Sequence, residues 1–178
     1  MGPYLQNQLL ELCEFSKDQK WDLKYRASRD GFKSTDFHSH CDGIANTLTV
    51  MKAKSGNIFG GFTEQEWNSD AVWITDPNAF IFSLVNKEEN PFKAMCSNEG
   101  KQAIRCGLLR GPCFGGEGTR LKDICIGSNS NLNIDSHCNF GYSYQHPDYE
   151  KDSDEAQNIL AGSLNFETLE IEVYAESN

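Results

Sequence analysis

The clearest alternation of apolar and polar positions runs from Leu48 to Phe62. Leu48 and Val50 open a strand that continues to Lys54, Ser55-Gly56-Asn57 makes a tight turn, and Ile58-Phe59-Gly60-Gly61-Phe62 returns. Alternating apolar residues on both sides of a short Gly/Asn turn predict a β-hairpin. Paired glycines at the end of a strand mark a bulge or a close approach of another backbone. The hairpin is therefore expected in the middle of a sheet.

Other segments carry weaker patterns. Behind Pro3, residues Leu5, Leu9, Leu12 and Cys13 fall at i, i+4, i+7 and i+8, one face of a short amphipathic helix packed on the sheet. Trp21, Leu23, Tyr25 and Ala27 alternate with Asp22, Lys24 and Arg26, the period of a half-buried strand that Asp30-Gly31 breaks. Ser34 or Thr35 is expected to cap a short helix with Phe37 and Cys41 on its inner face, stopped at Asp42-Gly43. The 63–78 connection is long, and its Trp67 and Trp73 are either anchors for a partner or lids over a core edge.

Residues 79–85 are apolar enough for a strand buried on both faces. With 92–95 and 103–106, joined by the polar turns Glu88-Glu89-Asn90 and Asn98-Glu99-Gly100, they predict an antiparallel meander. A further strand is expected at 121–126, and 127–139 reads as a loop held by side-chain-to-backbone hydrogen bonds. The last strand should bury Leu169, Ile171 and Val173, turn Glu170, Glu172 and Tyr174 to an acidic face, and rejoin the sheet near the first strand.

At 178 residues the length fits one ordinary domain with a two-layer core. The sequence has no run of about 18 apolar residues and no basic segment followed by an apolar one at its start, so a soluble protein without a cleaved signal is expected. Seven cysteines (Cys13, Cys41, Cys96, Cys106, Cys113, Cys125 and Cys138) are odd in number, irregularly spaced and without a CxxC pair, which argues against a disulfide framework. With no N-x-[ST] site either, the expected compartment is reducing, intracellular and cytoplasmic.

The net charge of −10 is uneven: residues 146–178 hold nine acids against one lysine, −8, which leaves −2 for residues 1–145. Such a surface repels phosphate backbones and anionic lipids. Nucleic acid and direct membrane insertion are thus not expected, and a basic protein surface is the fitting partner.

The blocks Tyr25-Arg26-Ala27-Ser28-Arg29-Asp30-Gly31-Phe32, Phe37, Cys41, Leu48-Thr49-Val50 and Ile58-Phe59-Gly60-Gly61-Phe62 resemble the first half of a TLDc domain, the domain of the oxidation-resistance proteins. Phe80-Ile81-Phe82-Ser83-Leu84, Gly111-Pro112, Phe114-Gly115-Gly116, Asp123-Ile124, Cys138-Asn139-Phe140-Gly141, Leu160-Ala161-Gly162 and Glu170-Ile171-Glu172-Val173-Tyr174 continue the resemblance in the family's order. It implies an α+β, mainly antiparallel fold: a central two-sheet β-sandwich flanked by short helices. Residues 1–19 then form an N-terminal amphipathic helical segment and 20–178 the TLDc domain. The family is associated with the vacuolar proton-pumping ATPase and with protection from oxidative stress. The resemblance therefore implies a non-catalytic protein-interaction module that regulates that pump, as a monomer or as part of a larger assembly. The alternatives are a thiol-based redox sensor or enzyme and a metal-binding domain.

Candidate chemistry is sparse. Asp36-Phe37-His38-Ser39-His40-Cys41-Asp42, with His137-Cys138 far along the chain, holds ligand types that zinc prefers. In a helix, however, His38 and His40 point in nearly opposite directions, which leaves His38 with Cys41 at i, i+3. Cys41 beside His38 and Ser143 in Gly141-Tyr142-Ser143-Tyr144 are the candidate nucleophiles. The thiol is expected buried and inert, and the serine lacks the closing glycine of a nucleophile elbow. The glycine-rich 111–118 stretch fits neither phosphate-binding template, 117–122 is longer and more charged than the family pattern, and 127–139 has too few carboxylates for a calcium loop. No catalytic, cofactor-binding or metal-binding residue and no cofactor is assigned from the sequence.

Overall fold

Two antiparallel sheets of six strands carry the chain in a computed structural model, which describes residues 2–117 and 122–177. Helix α1 (Pro3–Cys13) leads into β1 (Lys20–Arg26), the single turn α2 (Ala27–Asp30), α3 (Ser34–Cys41) and the hairpin β2 (Thr47–Ala53) and β3 (Ile58–Thr63). Then follow β4 (Trp73–Ile74), β5 (Phe80–Val85), β6 (Phe92–Met95), β7 (Ile104–Arg105), β8 (Cys113–Phe114), β9 (Ile124–Cys125) and β10 (Ser136–His137). Helix α4 (Asp154–Ile159), β11 (Asn165–Phe166) and β12 (Thr168–Ser177) complete the chain. No helix among the described residues is long and apolar enough to cross a membrane.

The first sheet runs β1-β12-β2-β3-β5-β6, so the hairpin sits at its centre and β12 lies beside β1, as the pattern predicted. Both faces of this sheet are covered. Leu48, Val50, Phe62, Phe80 and Phe82 face α1 through Leu9 and Cys13, while Met51, Phe59, Ile81 and Val173 face the second sheet. A central strand with no solvent face reads as a continuous apolar run, which is why 79–85 lacks alternation. Each large side chain buried in this way contributes about 1.5–3 kcal/mol.

The two hairpin glycines have separate causes. At Gly60 a Cβ would stand 1.9 Å from the Thr49 carbonyl oxygen, and at Gly61 it would stand 2.7 Å from the Phe114 ring of the opposite sheet. The hairpin turn is clasped from below: Asn57 donates to the Leu160 carbonyl at 3.0 Å and Ser55 to the Ala161 carbonyl at 2.8 Å.

The second sheet runs β11-β10-β9-β8-β7-β4, built from strands of two residues. The predicted meander is corrected here, because β6 stays in the first sheet while 103–106 pairs as β7 with β8 and β4. A 3-10 turn at Asn98–Gly100, with Glu99 left-handed at φ 57, carries the chain across between them. The long 63–78 connection supplies β4, and its Trp67 is buried between Phe37 at 5.3 Å and Phe114 at 5.6 Å, donating to the Thr47 hydroxyl at 2.9 Å. Trp73 is half-buried at the sheet edge.

Smaller differences follow from local geometry. Helix α3 is flanked by Lys33 rather than capped by Ser34 or Thr35, and the Asp36 carboxylate accepts the Lys33 backbone N–H at 2.9 Å. A register shift between Thr168 and Glu170 leaves Leu169 52% exposed, while Thr168 is buried against Ser130 at 2.6 Å. Glu172, expected on an open acidic face, is buried and paired with Arg26 at 2.7 Å. The 127–139 loop carries the expected side-chain bonds, among them Asp135 N–H to Asn133 Oδ1 at 3.0 Å and Gly127 N–H to Ser136 Oγ at 3.0 Å, yet it also contributes β10. Residues 118–121, which hold the start of the expected 121–126 strand and most of the charged 117–122 stretch, lie outside the described residues.

Candidate functional site

The histidine-cysteine cluster resolves into structural roles. His38 is buried, with Nδ1 2.7 Å from an Asp42 carboxylate oxygen and Nε2 2.9 Å from the Arg110 carbonyl and 3.1 Å from the Gly107 carbonyl. Contacts to all three neighbours engage both ring nitrogens and stitch α3 to the 107–110 loop. Cys41 has no exposed surface, and burial pushes its thiol up. His40 sits on the other side of the helix, with Nδ1 2.8 Å from the Asp36 carbonyl oxygen, which can only accept. No group of three His, Cys, Asp or Glu among the described residues is placed to hold a metal ion.

Ser143 is a strut. Its backbone N–H donates to Asp123 at 2.8 Å, and its hydroxyl accepts from the Gly116 N–H at 3.0 Å. Asp123 gathers two further backbone N–H groups, from Gly141 and Tyr142, each at 2.8 Å, and this arrangement fixes the Gly141-Tyr142-Ser143 turn. Its burial pushes the carboxyl up to about 7, against the pull of those donors.

The outer face of the second sheet gathers the chemistry that is left. Register pairs Trp73 with Arg105, Arg105 with Cys113, Cys113 with Cys125, and Cys125 with His137, so these five residues form one row across five strands. Directly opposite residues share a face. The adjacent row, Ile74, Ile104, Phe114 and Ile124, is apolar and turns inward. The 107–110 loop and Lys122 close over the outer row and leave a cavity of about 260 Å3.

Three cations, Arg105, Arg110 and Lys122, line this cavity, and no carboxylate does among the described residues. Lys122 Nζ lies 4.8 Å from the centre of the Trp73 ring and the Arg105 guanidinium 5.6 Å from it, each within cation–π reach. The Cys125 sulfur is drawn down by the hydrogen bond from Cys113, then by Arg110, Lys122 and Arg105, while burial and its bond to Cys125 push the Cys113 thiol up. His137 is held below its ordinary value by burial and then by Arg110, and its Nε2 is buried without a partner.

Sequence reasoning passed over this row because its members are spread over residues 73–137 with no common spacing. The one available signal is that three of the short strands set a core residue beside a charged or thiol residue: Ile104-Arg105, Cys113-Phe114, Ile124-Cys125. Only pairing aligns them.

Two stacked antiparallel sheets with a helix outside and a thiol-lined cationic cavity on the far face define an α+β sandwich domain. The family model of the TLDc domain matches residues 1–177, and the chain belongs to that family. A comparison with curated proteins finds no match.

Proposed function

We propose that this TLDc domain is a non-catalytic protein-interaction module that regulates the vacuolar proton-pumping ATPase by direct contact. Membership of the family over residues 1–177 carries the reading. The acidic 148–155 segment supports it as a docking surface for a basic subunit face, since Asp148, Glu150, Asp154 and Glu155 are all exposed. Asp152 is set apart from these four, because it accepts from Tyr142 Oη at 2.6 Å and Asn139 Nδ2 at 3.0 Å.

The test is affinity capture from a lysate with the wild-type domain and with a variant carrying Asp148→Ser, Glu150→Ser, Asp154→Ser and Glu155→Ser. Pump subunits retained by the first and lost from the second support the reading. Pump subunits bound by neither folded form overturn it.

A second reading, a peroxide-reactive thiol, is favoured by one observation: Cys113 and Cys125 face each other across the ladder beside three cations. The Cys125 thiolate would take the distal oxygen of a peroxide to give a sulfenate and water or alcohol. Protonated to the sulfenic acid, it would then condense with the Cys113 thiol to give a disulfide and water. Native-state thiol labelling tests it.

A further inference from the structure

We propose that the cavity outside the second sheet binds a small phosphoryl oxyanion, either free inorganic phosphate or the phosphate of a small monoester. The chain carries −10 overall, yet here Arg105 on β7 and Arg110 on the loop after it line one cavity beside Lys122, without a lining carboxylate among the described residues. Like charges gathered in a partly desolvated cavity repel one another, and an anion between them relieves that cost. Guanidinium groups offer paired N–H donors that match the oxygens of a phosphoryl group.

The uncharged side of the cavity adds a selective element. His137 lines the cavity, its Nε2 is buried with no partner, and the ring is held toward its neutral form, so it adds a polar group without adding charge. A hydrogen phosphate brings both the charges that the cations seek and, in its P–O and P–OH groups, a partner for either tautomer of this ring. The cavity of about 260 Å3 exceeds a bare phosphate and leaves room for the organic part of a small monoester such as glycerol phosphate. This site goes beyond the pump reading and stands or falls apart from it.

The experiment is a two-dimensional amide NMR titration of the whole chain with inorganic phosphate and with glycerol phosphate, each against chloride at matched ionic strength. Expected are saturable shifts centred on Arg105, Cys113, Cys125 and His137. A variant with Arg105→Gln and Arg110→Gln, unchanged elsewhere in its spectrum, should bind about tenfold or more weakly, since each lost charged hydrogen bond is worth about 1.5–3 kcal/mol. Saturation by inorganic phosphate alone, or tighter binding of glycerol phosphate, each supports the site and tells the source of the ligand. Shifts that do not saturate with either, or that match those in chloride, overturn it, as does binding unaltered in the double variant.

Discussion

In the first sheet, β2, β3 and β5 lie between α1 and the second sheet, so their backbones must approach closely and their side chains have no exit to water. In the second sheet only the Ile74, Ile104, Phe114 and Ile124 row is committed to the core, and the opposite row is free to hold arginine, thiol and imidazole groups. Long strands buried under a helix and a second sheet leave function no room, whereas the short strands of the second sheet carry an outer row covered only by the 107–110 loop and Lys122, with a cavity between. The same backbone pairing thus gives one layer packed on both faces and one that carries a polar, thiol-lined cavity.

The hardest way to break that contrast is Gly60→Val. With its Cβ directed at the Thr49 carbonyl, 1.9 Å away, the central hairpin cannot keep its register, and a loss of more than about 4 kcal/mol is expected. Soluble expression and thermal unfolding read the outcome; a variant that unfolds within a few degrees of wild type would mean that the sheet centre yields more easily than its packing implies.

Asp123→Asn tests the framework behind the second sheet. The amide keeps one acceptor oxygen but turns an NH2 toward a backbone donor, so one buried N–H goes unmet at a cost of about 1–3 kcal/mol. The pH dependence sharpens it. With its folded value raised from 3.8 to about 7, the wild-type carboxyl holds its proton more tightly folded than unfolded. Its stabilising contribution is therefore complete below 3.8 and lost as pH rises to about 7. Denaturant midpoints across this window should fall with pH more steeply in wild type than in the variant; parallel curves would contradict the assignment.

The smallest effect on stability, and the sharpest on chemistry, concerns the thiols. Burial pushes Cys13 up to about 12 and Cys106 up to about 11, and raises Cys41, whereas Cys125 alone among the shifted thiols is drawn down. A small thiosulfonate reagent should modify Cys125 first in the native protein, and Arg110→Gln should slow it with little change in melting temperature. Reaction of all seven thiols only on unfolding would remove the redox reading and leave the interaction module.

The fold was legible because its strongest signals are local. The Ser55-Gly56-Asn57 turn, the glycine pair, the doubly apolar 79–85 run and the alternation near the C-terminus each depend on neighbours within a few residues, and the multi-block family pattern sets their order. Where a residue's fate depended on a register shift or a crossing, the reading failed: Leu169 is bulged outward, Glu172 is paired rather than solvated, and 103–106 changes sheets. Two-residue strands carry too little pattern for periodicity to detect.

The sequence by itself determined the sheet centre, the helix over its outer face, the burial of Cys41 and the family. It also placed His38 and His40 on different sides of α3, because helical geometry follows from spacing alone. Only the tertiary structure decided that Trp67 is core, that Asp123 and Ser143 brace a turn, and that Arg105, Cys113, Cys125 and His137 stand in one row. Pairing between distant strands is fixed by which faces the whole chain can bury together, and no window of sequence contains that information.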